Sequence, residues 1–443
     1  MINNHPKCNA LKERAESVLA GGPATLSKHW SRYPQGLGPG FIDHGDGAYV
    51  WCPDGLKYID CVSALGPIIL GHSNPLVTLE VMKQAEKLAS STMSTSLEVE
   101  VSEMLCGIIP GAEQVRYSVS GKDVTEAAVK LARYTTNKKH MIYVGYHGGF
   151  GDYLSTTDKS GGLLPELADW NHQVPWRNID ALEAVMDHAN GDIAGIILEV
   201  PPEYPGVTIE ETATILLGYR GMAHANGGLF VLDEIVTGLR YGAAGAQGMY
   251  QIQADLVTMS KALGNGYPVA AIMGQRALMQ GFDQGKVFLS TTFGANPIGL
   301  AAAKATLGEL ASLSHGWGQL KEQGEALYTQ MRALLSRYHA PAVLKGNFAR
   351  MVIEWDDIPE VATKDELRTL WMQETAKRGV LFGVPIFPMT CYDAVTIQKI
   401  LYAVDGACQA IKKVQWGTPV AEILEVPVSG SVFERYAGGI RGQ

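Results

Sequence analysis

Two short apolar runs end in residues able to do chemistry. Leu229-Phe230-Val231-Leu232 closes on Asp233-Glu234, and Leu256-Val257-Thr258-Met259-Ser260 closes on Lys261. Each run is rich in branched residues and bounded by turn-formers, the pattern of a buried strand. An acid and a lysine at the carboxyl ends of two buried strands stand where open α/β sheets bind ligands. A lysine there can form a Schiff base with a carbonyl compound, and an acid there can hold a protonated pyridine nitrogen. Together they are the minimal equipment for pyridoxal phosphate chemistry, although a capping Asp and a solvated Lys would show the same spacing.

The neighbouring letters narrow the choice. Asp233-Glu234-Ile235-Val236-Thr237-Gly238-Leu239-Arg240 and Ser260-Lys261-Ala262-Leu263-Gly264-Asn265-Gly266-Tyr267-Pro268 resemble the signature of class III aminotransferases, which are fold-type I pyridoxal phosphate enzymes. Within that class the chain is most similar to the group around glutamate-1-semialdehyde aminomutase, from roughly residue 40 to the C-terminus. The resemblance implies an α/β fold-type I transferase: a large domain on a mainly parallel sheet of the seven-stranded type, and a smaller α+β domain drawn from both termini. The expected division is 1–75 as an N-terminal segment joining the small domain, 76–320 as the large cofactor-binding domain and 321–443 as the small domain.

Composition is compatible with this. A chain of 443 residues exceeds one average domain, and 46% hydrophobic residues suffice for a large core. A net charge of −9 without any basic run argues against a nucleic-acid partner. No stretch of eighteen apolar residues occurs, so no membrane span is expected. The start, Met1-Ile2-Asn3-Asn4-His5-Pro6-Lys7, is polar and lacks the apolar region of a secretory signal. Cys8, Cys52, Cys61, Cys106, Cys391 and Cys408 are scattered without any C-x-x-C. They are expected to be reduced, buried thiols of a cytoplasmic protein, and no metal site is expected.

The elements that must position the pair follow from periodicity. Residues 7–20 have helical spacing and stop at Gly21-Gly22-Pro23. The Gly/Pro-rich loop 31–40 contains Gly36-Leu37-Gly38-Pro39-Gly40, which no strand precedes, so it is not a dinucleotide loop. Ala48–Trp51 and Lys57–Asp60 flank an Asp54-Gly55 turn and read as a hairpin. From a helix at 76–89 onward, strands and helices alternate, arguing for a parallel sheet with crossover helices. The strands are expected at 114–119, 140–145, 193–199, 228–232, 255–260 and 269–273, the helices at 123–135, 178–189, 209–225 and 295–313. Beyond about 320 the pattern changes to a long helix, a strand region near 341–355 and helices at 364–378 and 395–414.

Further candidate residues surround the pair. Val119-Ser120-Gly121-Lys122-Asp123 follows an expected strand and opens a helix, so its backbone N–H groups form an anion site. The resemblance makes Ser120, Gly121 and Lys122 the phosphate cup; the family usually has Ser or Thr where Lys122 stands, and Lys122 either supplies a charge or points to solvent. In the family the aromatic before His-Gly stacks on the cofactor ring, which assigns Tyr146 here, with a core tyrosine as the plainer reading. Ile235, two residues after Asp233, matches the aliphatic residue on the opposite ring face. His147 is placed in support near the phenol oxygen of the ring. Glu199, at the end of the run Ile193–Leu198, either hydrogen-bonds toward the cofactor or caps a turn. Ser290-Thr291-Thr292-Phe293-Gly294-Ala295-Asn296-Pro297 matches a family pattern whose threonine, Thr292, reaches the neighbouring subunit's cofactor, implying a homodimer with shared active sites.

The implied reaction is transamination. Lys261 holds pyridoxal 5'-phosphate as a Schiff base, an amino donor displaces it, and freed Lys261 moves the proton. Asp233 keeps the pyridine nitrogen protonated, and release of the keto product leaves pyridoxamine phosphate for a carbonyl acceptor. Arg32 is the candidate for a substrate carboxylate, against its reading as a surface loop residue. Two aminomutase features are missing. Val200-Pro201-Pro202-Glu203-Tyr204-Pro205 has no Gly-Asn, and Gly383-Val384-Pro385-Ile386-Phe387-Pro388-Met389-Thr390 has no Ser/Glu cluster. An intramolecular 1,2-aminomutase, a racemase or decarboxylase on the same fold, and a non-enzymatic binding module remain as alternatives.

Overall fold

The computed structural model describes residues 5–312 and 316–430. Residues 1–4, 313–315 and 431–443 lie outside it, and with them the extreme N-terminus, the last residue of the expected helix 295–313 and the end of the expected 321–443 domain. The chain divides into two compact units. Among the described residues, the first takes 5–74, 202–205 and 316–430, and the second takes 75–201 and 206–312.

The second unit is built on a seven-stranded sheet in the order Gln114–Ser118, Ala270–Gly274, Leu256–Met259, Leu229–Glu234, Ile193–Leu198, His140–Val144, Asn171–Gln173. Every pairing from Leu256–Met259 to Asn171–Gln173 is parallel. Ala270–Gly274 runs antiparallel to both of its neighbours. The sheet is thus mainly parallel, with one reversed strand. The reversal has a local cause: only the helical turn Lys261–Gly264 and a few loop residues separate this strand from Leu256–Met259, too few for a crossover helix. His140–Val144 and Ile193–Leu198 are buried at every position, the signature of parallel strands covered on both faces.

Helix Gly121–Thr136 lays Val124, Ala127, Ala128, Val129, Leu131 and Ala132 into the sheet's core. It begins before the expected 123–135, so Gly121 and Lys122 belong to its first turn. Helices Ile179–Ala189 and Ile209–Ala225 start on Asn178 and Thr208, whose side chains accept backbone N–H groups of Ala181 and Glu211. Sequence periodicity missed the helices Ser96–Ile108, Gly245–Tyr250 and Arg276–Asp283 and the strand Asn171–Gln173. These elements are short or bury few residues: Ser96–Ile108 buries only Val101 and Leu105.

In the first unit, Tyr49–Trp51 and Lys57–Asp60 form the expected antiparallel hairpin, extended by His44–Asp46 and by the parallel strand Val380–Leu381. The strand region near 341–355 is a second hairpin, Ala342–Asn347 with Arg350–Trp355. Helices Trp317–Arg337, Lys364–Lys377 and Ala394–Gln415 pack a core around Leu327, Trp371, Ile400 and Val404. Among the described residues, no helix is long and apolar enough to cross a membrane.

Close backbone packing at the centre of the sheet is testable. Gly195 stands opposite Leu229, and a Cβ there would lie 2.7 Å from the Leu229 carbonyl oxygen. Gly195→Ala forces two central strands apart and is expected to cost roughly 1–3 kcal/mol. Chemical denaturation checks it, and undiminished stability would contradict the packing.

Candidate active site

Strand Leu229–Glu234 lies between two parallel neighbours, so its carboxyl end and that of Leu256–Met259 share one edge of the sheet. Asp233 stands opposite Thr258 and Glu234 opposite Met259. The next turn of the chain carries Lys261. Asp233 is 2% exposed. Its Oδ2 accepts from His147 Nδ1 at 2.8 Å, and its Oδ1 from the Ile235 amide at 3.0 Å and the Thr258 hydroxyl at 3.4 Å. An ionised carboxylate only accepts, so the His147 proton sits on Nδ1. That leaves Nε2 buried without a hydrogen-bond partner among the described residues. The sequence reading puts His147 beside the phenol oxygen of a cofactor ring; the structure pairs it with the acid expected at the ring nitrogen.

The turn carrying His147 is braced from several directions. Thr125 donates its hydroxyl to the His147 carbonyl oxygen at 2.8 Å. Tyr153 sets its ring edge-on to His147 at 5.5 Å and to Tyr146 at 5.7 Å, and donates to the Gly145 carbonyl. Glu199 is buried and accepts the Tyr146 amide at 3.3 Å, so its carboxylate supports the backbone of this turn. Gly145 takes φ 109°, and a Cβ there would lie 3.0 Å from the Glu199 Cβ. Tyr146 is 41% exposed.

At the start of helix Gly121–Thr136, Asp123 donates its amide to the Ser120 carbonyl. The Ser120 side chain faces that amide in a capping box, but its buried hydroxyl makes no hydrogen bond of good geometry among the described residues. The Asp123 carboxylate is taken by the Ser118 hydroxyl and the Ser120 amide. Ile235 reaches this turn: its Cδ1 and Cγ2 lie 3.1 Å from where a Gly121 Cβ would be, so glycine lets the aliphatic side chain close against the backbone. Lys122 is exposed.

Lys261 is half-buried and opens the helical turn Lys261–Gly264 at φ 42°. A side chain in this left-handed region costs about 1–2 kcal/mol, and such strain clusters at functional sites. Glu234 is fully enclosed. Burial pushes its carboxyl up to about 7, against the opposing pull of the Thr237 hydroxyl and the Ala246 and Gln247 amides. Glu234 ties the loop 235–247 to the strand.

The structure thus gathers Ser120, Gly121, Tyr146, His147, Glu199, Asp233, Ile235 and Lys261 on strand ends and adjoining turns of one unit. Thr292 is exposed on the loop before helix Pro297–Ala311, beside the 58% exposed Phe293. Arg32 belongs to the first unit, in the turn Trp30–Arg32, where burial and the nearby Arg368 lower its pKa. Sequence reasoning missed Thr258, Thr125 and Tyr153. Only Thr258 had a visible signal, its place on the strand that ends in Lys261. The assembled groups fit pyridoxal phosphate: an orphaned hydroxyl at a helix N-terminus suits a phosphate, a buried carboxylate suits a pyridinium, and an amine suits the aldehyde.

Comparisons with known proteins agree. The family model for class-III aminotransferases matches residues 33–405. Glutamate-1-semialdehyde 2,1-aminomutase 2 of Lachnoclostridium phytofermentans is 32% identical over 77% of this chain and 82% of its own. Among solved structures, an omega-transaminase from Sphaerobacter thermophilus superposes with a TM-score of 0.81 at 22% identity, covering 91% of this chain and 98% of its own. A glutamate-1-semialdehyde-aminomutase from Pseudomonas aeruginosa PAO1, in complex with PMP, gives 0.77 at 19% identity, covering 92% and 95%.

Glu234 provides a test by pH. The folded chain keeps this proton up to about pH 7, whereas an ordinary glutamate releases it near 4.5. Its contribution to stability is complete below 4.5 and is lost as the pH rises through 7. Glu234→Gln, which does not titrate, should flatten that decline by on the order of 3 kcal/mol. Denaturant unfolding of both proteins between these pH values measures it, and equal slopes would refute the assignment.

Proposed function

The chain belongs to the class-III aminotransferase family, and from that premise we propose that it transfers an amino group from an amino donor to a carbonyl acceptor at the edge of the sheet formed by Asp233 and Lys261. The observation that carries this reading is the buried, hydrogen-bonded Asp233 carboxylate on the strand next to the one that runs into Lys261. Pyridoxal 5'-phosphate, when bound, supplies an electron sink that makes a C–H bond beside the substrate nitrogen acidic.

The chain's own residues supply the rest. The Ser120 hydroxyl and the first amides of helix Gly121–Thr136 would hold the phosphate, with Lys122 adding positive charge at the rim. Ile235 and Tyr146 would cover the two ring faces. Asp233 keeps a carboxylate out of water, where it would pair with the ring nitrogen and hold it protonated. His147 orients that carboxylate through its Nδ1–H, and Glu199 holds the turn that carries His147. Lys261 Nζ would anchor the cofactor and serve as the base that takes a proton from the substrate carbon. Arg32 is proposed, on the family resemblance, to bind a substrate carboxylate.

The same reading makes the protein a cytoplasmic homodimer, supported by six unpaired cysteines and by the loop bearing Thr292. Phe288 and Phe293 are 75% and 58% exposed on and beside that loop, apolar surface suited to a partner. Thr292 would then reach the partner's phosphate. The names of the relatives make intramolecular amino transfer the second reading. Product analysis across a panel of amino donors and carbonyl acceptors separates the two: a keto product from the donor supports transamination, and isomerisation of a single substrate supports the mutase.

Two sets of variants test the roles. Reduction with borohydride followed by mass spectrometry should place the cofactor on Lys261, and Lys261→Ala should abolish turnover. Asp233→Asn should lower the rate by roughly two orders of magnitude or more while circular dichroism stays unchanged. Label on another lysine, or near-normal turnover by the asparagine variant, would overturn these roles. Lys261→Ala mixed with a Thr292→Val variant should recover activity, because one hybrid site draws both intact residues from different chains. Free subunit exchange without any recovery would reject the shared site.

A further inference from the structure

Away from Asp233 and Lys261, within the first unit, four side chains with ligand atoms meet in the interior. His5 precedes the helix Pro6–Val18, and Cys8 lies in that helix's first turn. Cys52 follows strand Tyr49–Trp51, and Asp54 lies in the turn before Lys57–Asp60. His5, Cys8 and Cys52 are each 2% exposed, and the Asp54 side chain 5%. One ligand atom from each lies within 4.8 Å of all the others. His5 Nδ1 is 3.7 Å from Cys52 Sγ and 3.9 Å from Asp54 Oδ2.

Each residue also has a plain structural use. Asp54 accepts the Lys7 and Cys8 amides at 2.7 and 3.1 Å and so caps the helix. The two thiols pack beside Val50 and Tyr58. Those uses leave the histidine's orientation unexplained. His5 Nε2 stands 3.1 Å from the Tyr58 hydroxyl and 3.4 Å from the Leu37 carbonyl oxygen. With its proton on Nε2 the ring donates to the Leu37 carbonyl oxygen, and its Nδ1 lone pair then faces the Cys52 sulfur and the Asp54 carboxylate. A metal-binding histidine is held in this way, its outer N–H donated to an oxygen and its inner nitrogen turned to the ion.

We propose that His5, Cys8, Cys52 and Asp54 bind one zinc ion in a closed, structural site. Two thiolates select a borderline-soft cation over magnesium or calcium, and four protein ligands leave no position for a reacting water. On binding, each thiol forms a Zn–S bond and releases its proton to solvent. The imidazole lone pair and the already ionised carboxylate fill the other two positions, and nothing is oxidised or reduced. Zinc bonds of about 2.0–2.3 Å require ligand atoms roughly 3.3–3.8 Å apart. The two His5 distances are near that range already, and small rotations of the side chains close the remainder. The site joins two half-sites, His5-x-x-Cys8 and Cys52-x-Asp54, and fastens the N-terminal helix to the hairpin Tyr49–Asp60.

The full-length, untagged chain, produced with added zinc and dialysed, should retain about one zinc per chain by mass-spectrometric metal analysis. Cobalt in its place should give thiolate-to-metal absorption in the near ultraviolet together with tetrahedral d–d bands. The folded double variant Cys8→Ser/Cys52→Ser should hold less than about 0.1 zinc per chain. His5→Gln and Asp54→Asn should each weaken zinc binding by about tenfold or more. A wild-type chain that holds less than about 0.1 zinc after loading, cobalt without a thiolate band, a native Cys8–Cys52 disulfide, or zinc retained by the double variant would overturn the site. The zinc content and cobalt spectrum of the wild-type chain decide the question even if the double variant does not fold.

Discussion

A carboxylate kept out of water is the constraint on which the second unit turns. Removing a charge from solvent is costly unless hydrogen bonds replace the lost hydration. Asp233 is 2% exposed, and three donors answer that cost: the His147 ring, the Ile235 amide and the Thr258 hydroxyl. Each donor sits on a different element. Together they fix the neighbouring strand, the turn after the Asp233 strand, and the loop after His140–Val144.

The braces continue outward from His147. Its carbonyl is held by Thr125 from the helix that also presents Ser120, and its turn is held by Glu199 from the next strand. The start of helix Gly121–Thr136 and the buried acid are therefore mechanically linked, and Ile235 closes against that helix start at Gly121. A site built in this way on strand ends and a helix N-terminus is pre-organised, which is what positioning a flat, charged cofactor demands. Among the described residues, the Ser120 hydroxyl and His147 Nε2 in it lack partners. Buried atoms of this kind are rare unless something else is to meet them.

Glu234 shows the same physics with the opposite result. It is one residue from Asp233, fully enclosed and pushed up to about 7 by burial. Its donors come from the loop 237–247 and not from the turns around His147. Adjacent acids on a strand face opposite sides of the sheet, so one serves the edge where Lys261 lies and the other holds a loop.

The sequence by itself determined the architecture and the central pair. Apolar runs ending in Asp233 and Lys261, the alternation of strands and helices, and the letters around both residues carried the fold class and the family, because burial periodicity and strand-end chemistry are local properties. Only the tertiary structure decided which partners those residues take. The reversed strand Ala270–Gly274 followed from a connection too short for a crossover. His147 met Asp233 across 86 residues of sequence, and Thr125, Tyr153 and Thr258 entered as braces that no spacing rule singles out. The meeting of His5, Cys8, Cys52 and Asp54 in the interior was likewise invisible in a chain where the cysteines look scattered. Hydrogen bonds and packing between residues distant in sequence depend on register and side-chain direction, and those exist only once the chain has folded.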